Sequence, residues 1–263
     1  MRANSRPDAR PQRVGFFTDT SLCIGCKACE VACKEWNDVP MDLQGFLGSS
    51  YDNSAALGAD RWRHVAFVEQ NAGDELRWLM SSDVCKHCTH SACLEVCPTG
   101  AIFRTEFDTV VIQPDVCNGC GYCIPACPFG VIDRREDDGR AWKCTLCYDR
   151  LKADQTPACA QACPTRSIQF GPLDELRVHA QERLDQLVGG GQTDAQLYLA
   201  GTEDGIGGAG AFFLLLDDPE VYGLPPDPVD PVSHLGEIYA AAGAAALALG
   251  AGIAAAVFGG RRR

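Results

Sequence analysis

Sixteen cysteines stand in four groups of four, at spacings that let thiolates converge on metal. The first group is Cys23, Cys26, Cys29 and Cys33, spaced C-x2-C-x2-C-x3-C. The second is Cys85, Cys88, Cys93 and Cys97, with a longer middle gap. The third, Cys117, Cys120, Cys123 and Cys127, repeats the spacing of the first. The fourth is Cys144, Cys147, Cys159 and Cys163, whose middle gap is longer still. Pro98, Pro128 and Pro164 follow the last cysteine of groups two to four, whereas Lys34 stands there in group one. No cysteine is left over. The run C-x2-C-x2-C-x3-C-P wraps three thiolates round one iron–sulfur cluster and sends the fourth to another. A zinc knuckle would suit the fourth group by itself, but it would leave a cysteine elsewhere without a cluster. Disulfides suit short secreted chains that lack a core. With 263 residues, 46% of them hydrophobic, this chain does not need such a framework.

Runs of this kind work in pairs, because the fourth cysteine of each ligates the other's cluster. Only residues 98–116 separate groups two and three, so these form one compact unit. Groups one and four must then pair around it. The predicted ligand sets are Cys23, Cys26, Cys29 and Cys163 for one cluster and Cys33, Cys144, Cys147 and Cys159 for its neighbour. Cys85, Cys88, Cys93 and Cys127 hold a third, and Cys97, Cys117, Cys120 and Cys123 a fourth. With a cysteine at every position, each site can carry a complete [4Fe–4S] cluster, iron being held through these sixteen residues alone. The predicted fold is α+β: two interlocked ferredoxin-like 2[4Fe–4S] units, one inserted in the other, plus one C-terminal transmembrane helix.

The segments that position these runs are read as follows. Residues 1–14 form a polar, arginine-bearing disordered tail with no apolar stretch after it, unlike a signal peptide. Residues 15–84 carry the first motif, an insertion over 37–62 rich in Gly, Ser, Asn and Asp, and a hairpin. The hairpin strands are Arg63–Gln70 and Glu75–Met80, joined at Asn71-Ala72-Gly73. Residues 85–130 are the inserted unit, and 131–171 carry the fourth motif and complete the outer unit. Residues 172–236 hold a helix over Leu173–Val188, with Leu173, Leu176, Ala180, Leu184 and Leu187 on one face. The run Gly189-Gly190-Gly191 stops it. Short strands at Ala195–Ala200 and Ala211–Leu216 follow, then an extended linker over Pro225–Pro231. This region is expected at a subunit interface. Residues 237–260 form the transmembrane helix and 261–263 a basic cytoplasmic tail.

Ile238–Gly260 carries no charge and, at about 1.5 Å per residue, can cross a hydrocarbon core of about 30 Å. Ala246, Gly250 and Ala254 make a small-residue face suited to close packing on another membrane helix. Arg261-Arg262-Arg263 follows, while Val232–Glu237 has no Lys or Arg, so the C-terminus is expected in the cytoplasm and the cluster domain on the outer, periplasmic face. The net charge of −12 argues against nucleic acid as a partner. The loop Gly205-Ile206-Gly207-Gly208-Ala209-Gly210 matches G-x-G-x-x-G, but a strand-like segment rather than a helix follows it, so it reads as a flexible glycine loop and not a dinucleotide site. His87 and His90 read as packing or hydrogen-bonding residues, and His234 as an interfacial one. Arg134–Arg140 reads as a solvated turn, and Trp36, Trp62, Trp78 and Trp142 as packing residues.

Several stretches together resemble the iron–sulfur β subunit of membrane-bound, molybdenum- or tungsten-dependent formate dehydrogenase. They are Cys23–Asp38 (CIGCKACEVACKEWND), Tyr51-Asp52-Asn53, Cys117–Gly130 (CNGCGYCIPACPFG), Lys143–Arg150 (KCTLCYDR) and Pro157–Gly171 (PACAQACPTRSIQFG). The glycine loop, Tyr222-Gly223-Leu224-Pro225 and the single C-terminal helix match that family's later segments, so the resemblance covers residues 15–260. The cysteine runs alone would also fit the electron-transfer subunits of dimethyl sulfoxide, polysulfide and tetrathionate reductases, nitrate reductase and some hydrogenases. The resemblance implies an electron-transfer subunit with no catalytic residue of its own. A molybdopterin-containing α subunit oxidises formate, and a cytochrome b or other quinone-reactive membrane γ subunit receives the electrons. The one departure is a membrane helix richer in Ala and Gly than that family suggests.

Overall fold

The computed structural model describes residues 12–41, 48, 52–72 and 75–259. Most of the predicted tail, Tyr51, Gly73 of the predicted turn, Gly260 and Arg261–Arg263 lie outside the described residues, as do residues 42–47 and 49–50 of the insertion.

The chain opens with β1 (Val14–Asp19), a short 3-10 turn over Thr20–Leu22, and α1 (Ala28–Asn37). A hairpin follows, β2 (Arg63–Ala72) and β3 (Glu75–Val84). Next come α2 (Ala92–Glu95), β4 (Ile102–Arg104), β5 (Val110–Ile112) and α3 (Cys123–Ala126). Then come β6 (Asp133–Arg134), β7 (Ala141–Trp142), α4 (Tyr148–Lys152) and α5 (Ala158–Gln161). The last stretch holds β8 (Ile168–Pro172), α6 (Leu173–Gly189), β9 (Gln196–Tyr198), β10 (Ala211–Leu215) and α7 (Leu235–Gly259).

The three copies of C-x3-C-P behave alike, and the physical reason is the proline. Its ring cannot continue a helix and disfavours helical geometry in the residue before it. Accordingly α2, α3 and α5 each last a single turn and stop ahead of Cys97, Cys127 and Cys163. The chain then folds into a turn with Pro in second place, closed by Gly100, Gly130 and Arg166 N–H on the carbonyls of those cysteines. All three closing residues take positive φ. In the first group Lys34 leaves the helix free to run on, and α1 continues through Cys33 to Asn37. Lys34 then ties the insertion to that helix, its Nζ donating to Pro40 O at 3.0 Å and Asp60 O at 2.8 Å.

Four strands form the main sheet in the order β8-β1-β10-β9. β1 pairs parallel with β10 and antiparallel with β8, and β9 is antiparallel to β10. The sheet therefore ties the segment before the first cysteine group to the segment after the fourth. Phe16, Phe17, Phe212, Phe213, Leu214 and Leu215 are completely buried. Each contributes roughly 1.5–3 kcal/mol relative to exposure. α6 covers this sheet with Leu173, Leu176 and Ala180, and Leu184 and Leu187 pack at its margin, as its sequence periodicity predicts. β10 is thus an inner strand of the chain's own core rather than a piece of surface.

The hairpin is longer than its hydrophobic pattern suggests. Asn71 and Ala72, expected in the turn, pair with Leu76 and Glu75. β3 runs beyond Met80 because Ser81 and Ser82, polar by type, are buried at its far end. Two of the four tryptophans are not core residues. Trp36 and Trp78 are both 45% exposed, while Trp62 is buried and stacks on Trp142 at 6.2 Å. Arg134–Arg140 is more than a solvated turn, because Arg135 pairs with Asp60 at 2.7 Å and lies over the Trp142 ring.

α7 is long and apolar enough to cross a membrane, and none of it is buried against the rest of the chain. It starts at Leu235, three residues ahead of the uncharged stretch. His234 sits at its mouth, 3.6 Å from Glu237.

Candidate metal centres

Three cavities are each framed by four cysteines. Cys23, Cys26, Cys29 and Cys163 frame one, with Val65, Ser82 and Ile168. Cys85, Cys88, Cys93 and Cys127 frame another, with His87, Val110 and Phe129. Cys97, Cys117, Cys120 and Cys123 frame a third, with Ile102, Ile112 and Ala141. In each, three cysteines come from one run and the fourth from a different run. The remaining four also gather. Asn37 Nδ2 lies 3.7 Å from Cys33 Sγ and 3.8 Å from Cys147 Sγ. Burial raises the Cys33 thiol well above its ordinary value, and Cys144, Cys159 and Cys147 raise it further. Twelve of the sixteen cysteines thus line three shared cavities, and Cys33 and Cys147 meet at Asn37.

The local backbone explains the gathering. The C-x2-C turns contain left-handed residues: Gly25 and Lys27 in the first run, His87 in the second, Gly119 and Gly121 in the third, Leu146 and Cys147 in the fourth. Such residues reverse the chain within a few positions. Gly119 is needed for a second reason, since a Cβ there would stand 2.2 Å from Gly139 O. Backbone N–H groups also turn toward sulfur, Leu146 N–H to Cys144 at 3.3 Å and Ala141 N–H to Cys117 at 3.5 Å. Burial pushes Cys97 up, but hydrogen bonds from Thr99, Ile102 and Ala101 more than offset this and lower it.

The quartets follow one another in space. Burial, then Arg63, then Ser82 act on the Cys29 thiol, and Cys159 of the neighbouring quartet comes next. Burial raises Cys144, and Cys85 is its largest charged neighbour. Cys93, pushed up by burial to about 12, feels Cys123. Thiols held up in this way are protonated when metal-free, so loading them with iron releases protons.

The donors fit iron–sulfur clusters better than single ions. A tetrahedral zinc draws four sulfurs to about 2.3 Å from one point. Among the described residues no three Cys, His, Asp or Glu side chains converge that closely. Among the buried polar atoms without a partner among the described residues, His87 Nε2 and Arg63 Nε and Nη2 belong to side chains beside the cysteines. The His87 tautomer follows from its surroundings. Val110 N–H donates to Nδ1 at 3.1 Å, so the proton of the neutral ring is on Nε2. Inorganic sulfide would accept from such donors.

The sequence reading missed the lid of the Cys85 cavity. The glycine loop is not free: His90 N–H donates to Ile206 O at 2.7 Å, Thr89 N–H to Gly208 O at 2.9 Å, and Gly210 N–H to Lys86 O at 2.8 Å. Ile206 and Asp230 line the cavity itself. The predicted linker docks there too, with Asp230 N–H on Gly205 O at 3.2 Å. The reading also missed the buried cations Arg63, Lys86 and Lys143. Lys86 and Lys143 stand immediately beside cysteines, which is the one signal the sequence carries for them.

Cavities framed by four cysteines each point to an iron–sulfur protein of the multi-cluster class. Two family models, both described as 4Fe-4S dicluster domain, match residues 22–101 and 76–173. The formate dehydrogenase iron-sulfur subunit of Haemophilus influenzae is 42% identical over 228 residues, covering 84% of this chain and 72% of that one. The nitrate-inducible formate dehydrogenase iron-sulfur subunit of Escherichia coli is 42% identical over 219 residues, covering 82% and 73%. The B subunit of the anaerobic dimethyl sulfoxide reductase of Escherichia coli is 40% identical over 163 residues, covering 62% and 75%. The chain belongs to the family of formate dehydrogenase iron–sulfur subunits. It is an electron-transfer subunit carrying [4Fe–4S] clusters.

Proposed function

We propose that this chain carries four [4Fe–4S] clusters, one per quartet, and links a molybdopterin-containing catalytic subunit that oxidises formate to a membrane cytochrome b or quinone-reactive subunit. The ligand sets are Cys23, Cys26, Cys29 and Cys163; Cys33, Cys144, Cys147 and Cys159; Cys85, Cys88, Cys93 and Cys127; and Cys97, Cys117, Cys120 and Cys123. Clusters bound there supply one-electron carriers. The chain's own residues fix their separation, keep water away and offer hydrogen bonds to sulfur, which together tune potential. The two ferredoxin-like units interlock, residues 85–130 lying within the outer unit. α7 anchors the chain in the membrane, with the cluster domain on the outer face and Arg261–Arg263 in the cytoplasm, following the positive-inside rule.

The observation that carries this reading is the sharing of one cavity by Cys163 with Cys23, Cys26 and Cys29. A reductase of the dimethyl sulfoxide type is the second reading, and it is the weaker, since that relative matches 62% of the chain against 84% for the formate dehydrogenase subunit. Cys163→Ser in the purified complex tests the interlocking. The expected result is a new [3Fe–4S] electron paramagnetic resonance signal from the site of Cys23, Cys26 and Cys29. Changes confined to the site of Cys144 and Cys147 overturn it.

A further inference from the structure

Four cations are buried among the described residues, Arg63, Lys86, Lys143 and, at 8% exposure, Arg150, which donates to Thr156 O and the Gln161 side chain, and only Lys86 has a carboxylate. Lys86 pairs with Asp83. Arg63, 2% exposed, and Lys143, 2% exposed, form no ion pair with any carboxylate among the described residues. Burying an unpaired charge is costly, so such a group persists where something else answers its charge. Arg63 donates from Nη1 to Ser82 O at 3.2 Å and to Ser82 Oγ at 3.0 Å, and its guanidinium lies 4.8 Å over the Phe16 ring. Ser82 Oγ in turn lies 3.3 Å from Cys29 Sγ, a member of the first quartet. The other cysteine neighbours of Arg63 are Cys159, Cys144 and Cys33, of the second quartet. Its Nε and Nη2 are the orphaned donors noted above. Lys143 donates from Nζ to Val110 O and, at 3.1 Å, to Cys144 O. Val110 lines the cavity of the third quartet, whose Cys85 and Cys93 are also neighbours of Lys143. Lys143 therefore stands where the second quartet meets the third.

We propose that Arg63 and Lys143 are charge-setting residues at the two junctions, Arg63 between the first and second quartets and Lys143 between the second and third, each making the clusters on both its sides easier to reduce. The inference rests on the quartet assignment proposed above. Reduction adds one negative charge to a cluster, and in a water-poor interior a nearby fixed cation offsets that charge with little screening by salt. A cation shared by two neighbours also lessens the repulsion between them when both are reduced.

The test is a redox titration of the purified complex followed by electron paramagnetic resonance, with iron and sulfide counted per chain. Variants are Arg63→Gln, Arg63→Lys, Lys143→Gln and Lys143→Arg. Each Gln variant is expected to lower the reduced-to-oxidised ratio of two clusters about tenfold at fixed ambient potential, about 59 mV for a one-electron couple. One cluster, that of the second quartet, moves in both variants. The charge-retaining variants keep most of the original ratio. Unchanged ratios in the Gln variants, or equal falls in the charge-retaining ones, overturn the inference. If a Gln variant loses iron, recovery of iron in its charge-retaining counterpart supports the inference, and failure to recover overturns it. A count far from about sixteen irons in the unmodified chain fails the quartet reading instead, and is separately visible.

Discussion

The Ser82 hydroxyl lies 3.3 Å from Cys29 Sγ. Arg63 donates to the same oxygen, so the serine's own proton is free to point at the sulfur. A hydrogen bond to a coordinating thiolate withdraws electron density and raises potential.

Ser82→Ala removes this bond and one acceptor of Arg63 Nη1, which keeps Ser82 O, without changing backbone or charge. At about 1 kcal/mol for one hydrogen bond, the potential of the cluster held by Cys29 should fall by about 40 mV. A redox titration of that one signal measures it. An unchanged midpoint would mean the hydroxyl points elsewhere in the loaded protein.

The insertion carries its own pH dependence. Lys27 Nζ holds Asp52 at 2.7 Å, and Ser54 adds two further hydrogen bonds to that carboxylate. Burial raises Asp52, but Lys27 and Ser54 outweigh it and hold it well below the usual carboxylate range. His64, lowered first by burial, stands 3.5 Å away. A depressed carboxylate stabilises the fold above its unfolded value of about 3.9 and loses that contribution as pH falls through its folded value. The stability gap between the unmodified chain and Asp52→Asn should therefore be constant near neutrality and close only in acid below about pH 4. Protease digestion of the 52–62 segment across pH reads the gap. A gap that already closes between pH 7 and 5 assigns the effect to another group.

Gly207 combines φ of +70° with a close neighbour, since a Cβ there would stand 2.8 Å from the His90 ring. Gly130 has φ of +60° and open space around it. Gly207→Ala should cost about 1–3 kcal/mol of strain plus the displaced ring, and Gly130→Ala the strain alone. The first should also speed iron loss to a chelator from the Cys85 quartet, whose cavity Ile206 lines. Equal chelation rates in the two variants would show that the loop does not act as a lid.

The cysteine runs, α6 and the hairpin were legible because each leaves a local mark: a fixed spacing, a repeat near 3.6 residues, alternation between two faces. The main sheet was not. β1 carries the short apolar run Val14–Phe17, but nothing local says that its partners are β8 and β10, far away in the chain. Arg63 and Lys143 were missed for a different reason. Charged residues read as solvent-facing, and their burial makes sense only once sulfur from distant runs is assembled round them. The glycine loop read as flexible because its hydrogen-bond partners, the backbone of Lys86 to His90, lie on another segment.

The position of β1 in the sheet sets a timetable for biogenesis. Both of its neighbours come from the last hundred residues, so the strand has no partner until synthesis has passed Pro172, and its parallel neighbour only after Leu215. Contacts of such long range close late. Cys23, Cys26 and Cys29 wait as well, since Cys163 must be made before their quartet is complete. During that interval the first thiols of the nascent chain stay apart from their fourth partner, and the sheet beside them stays incomplete.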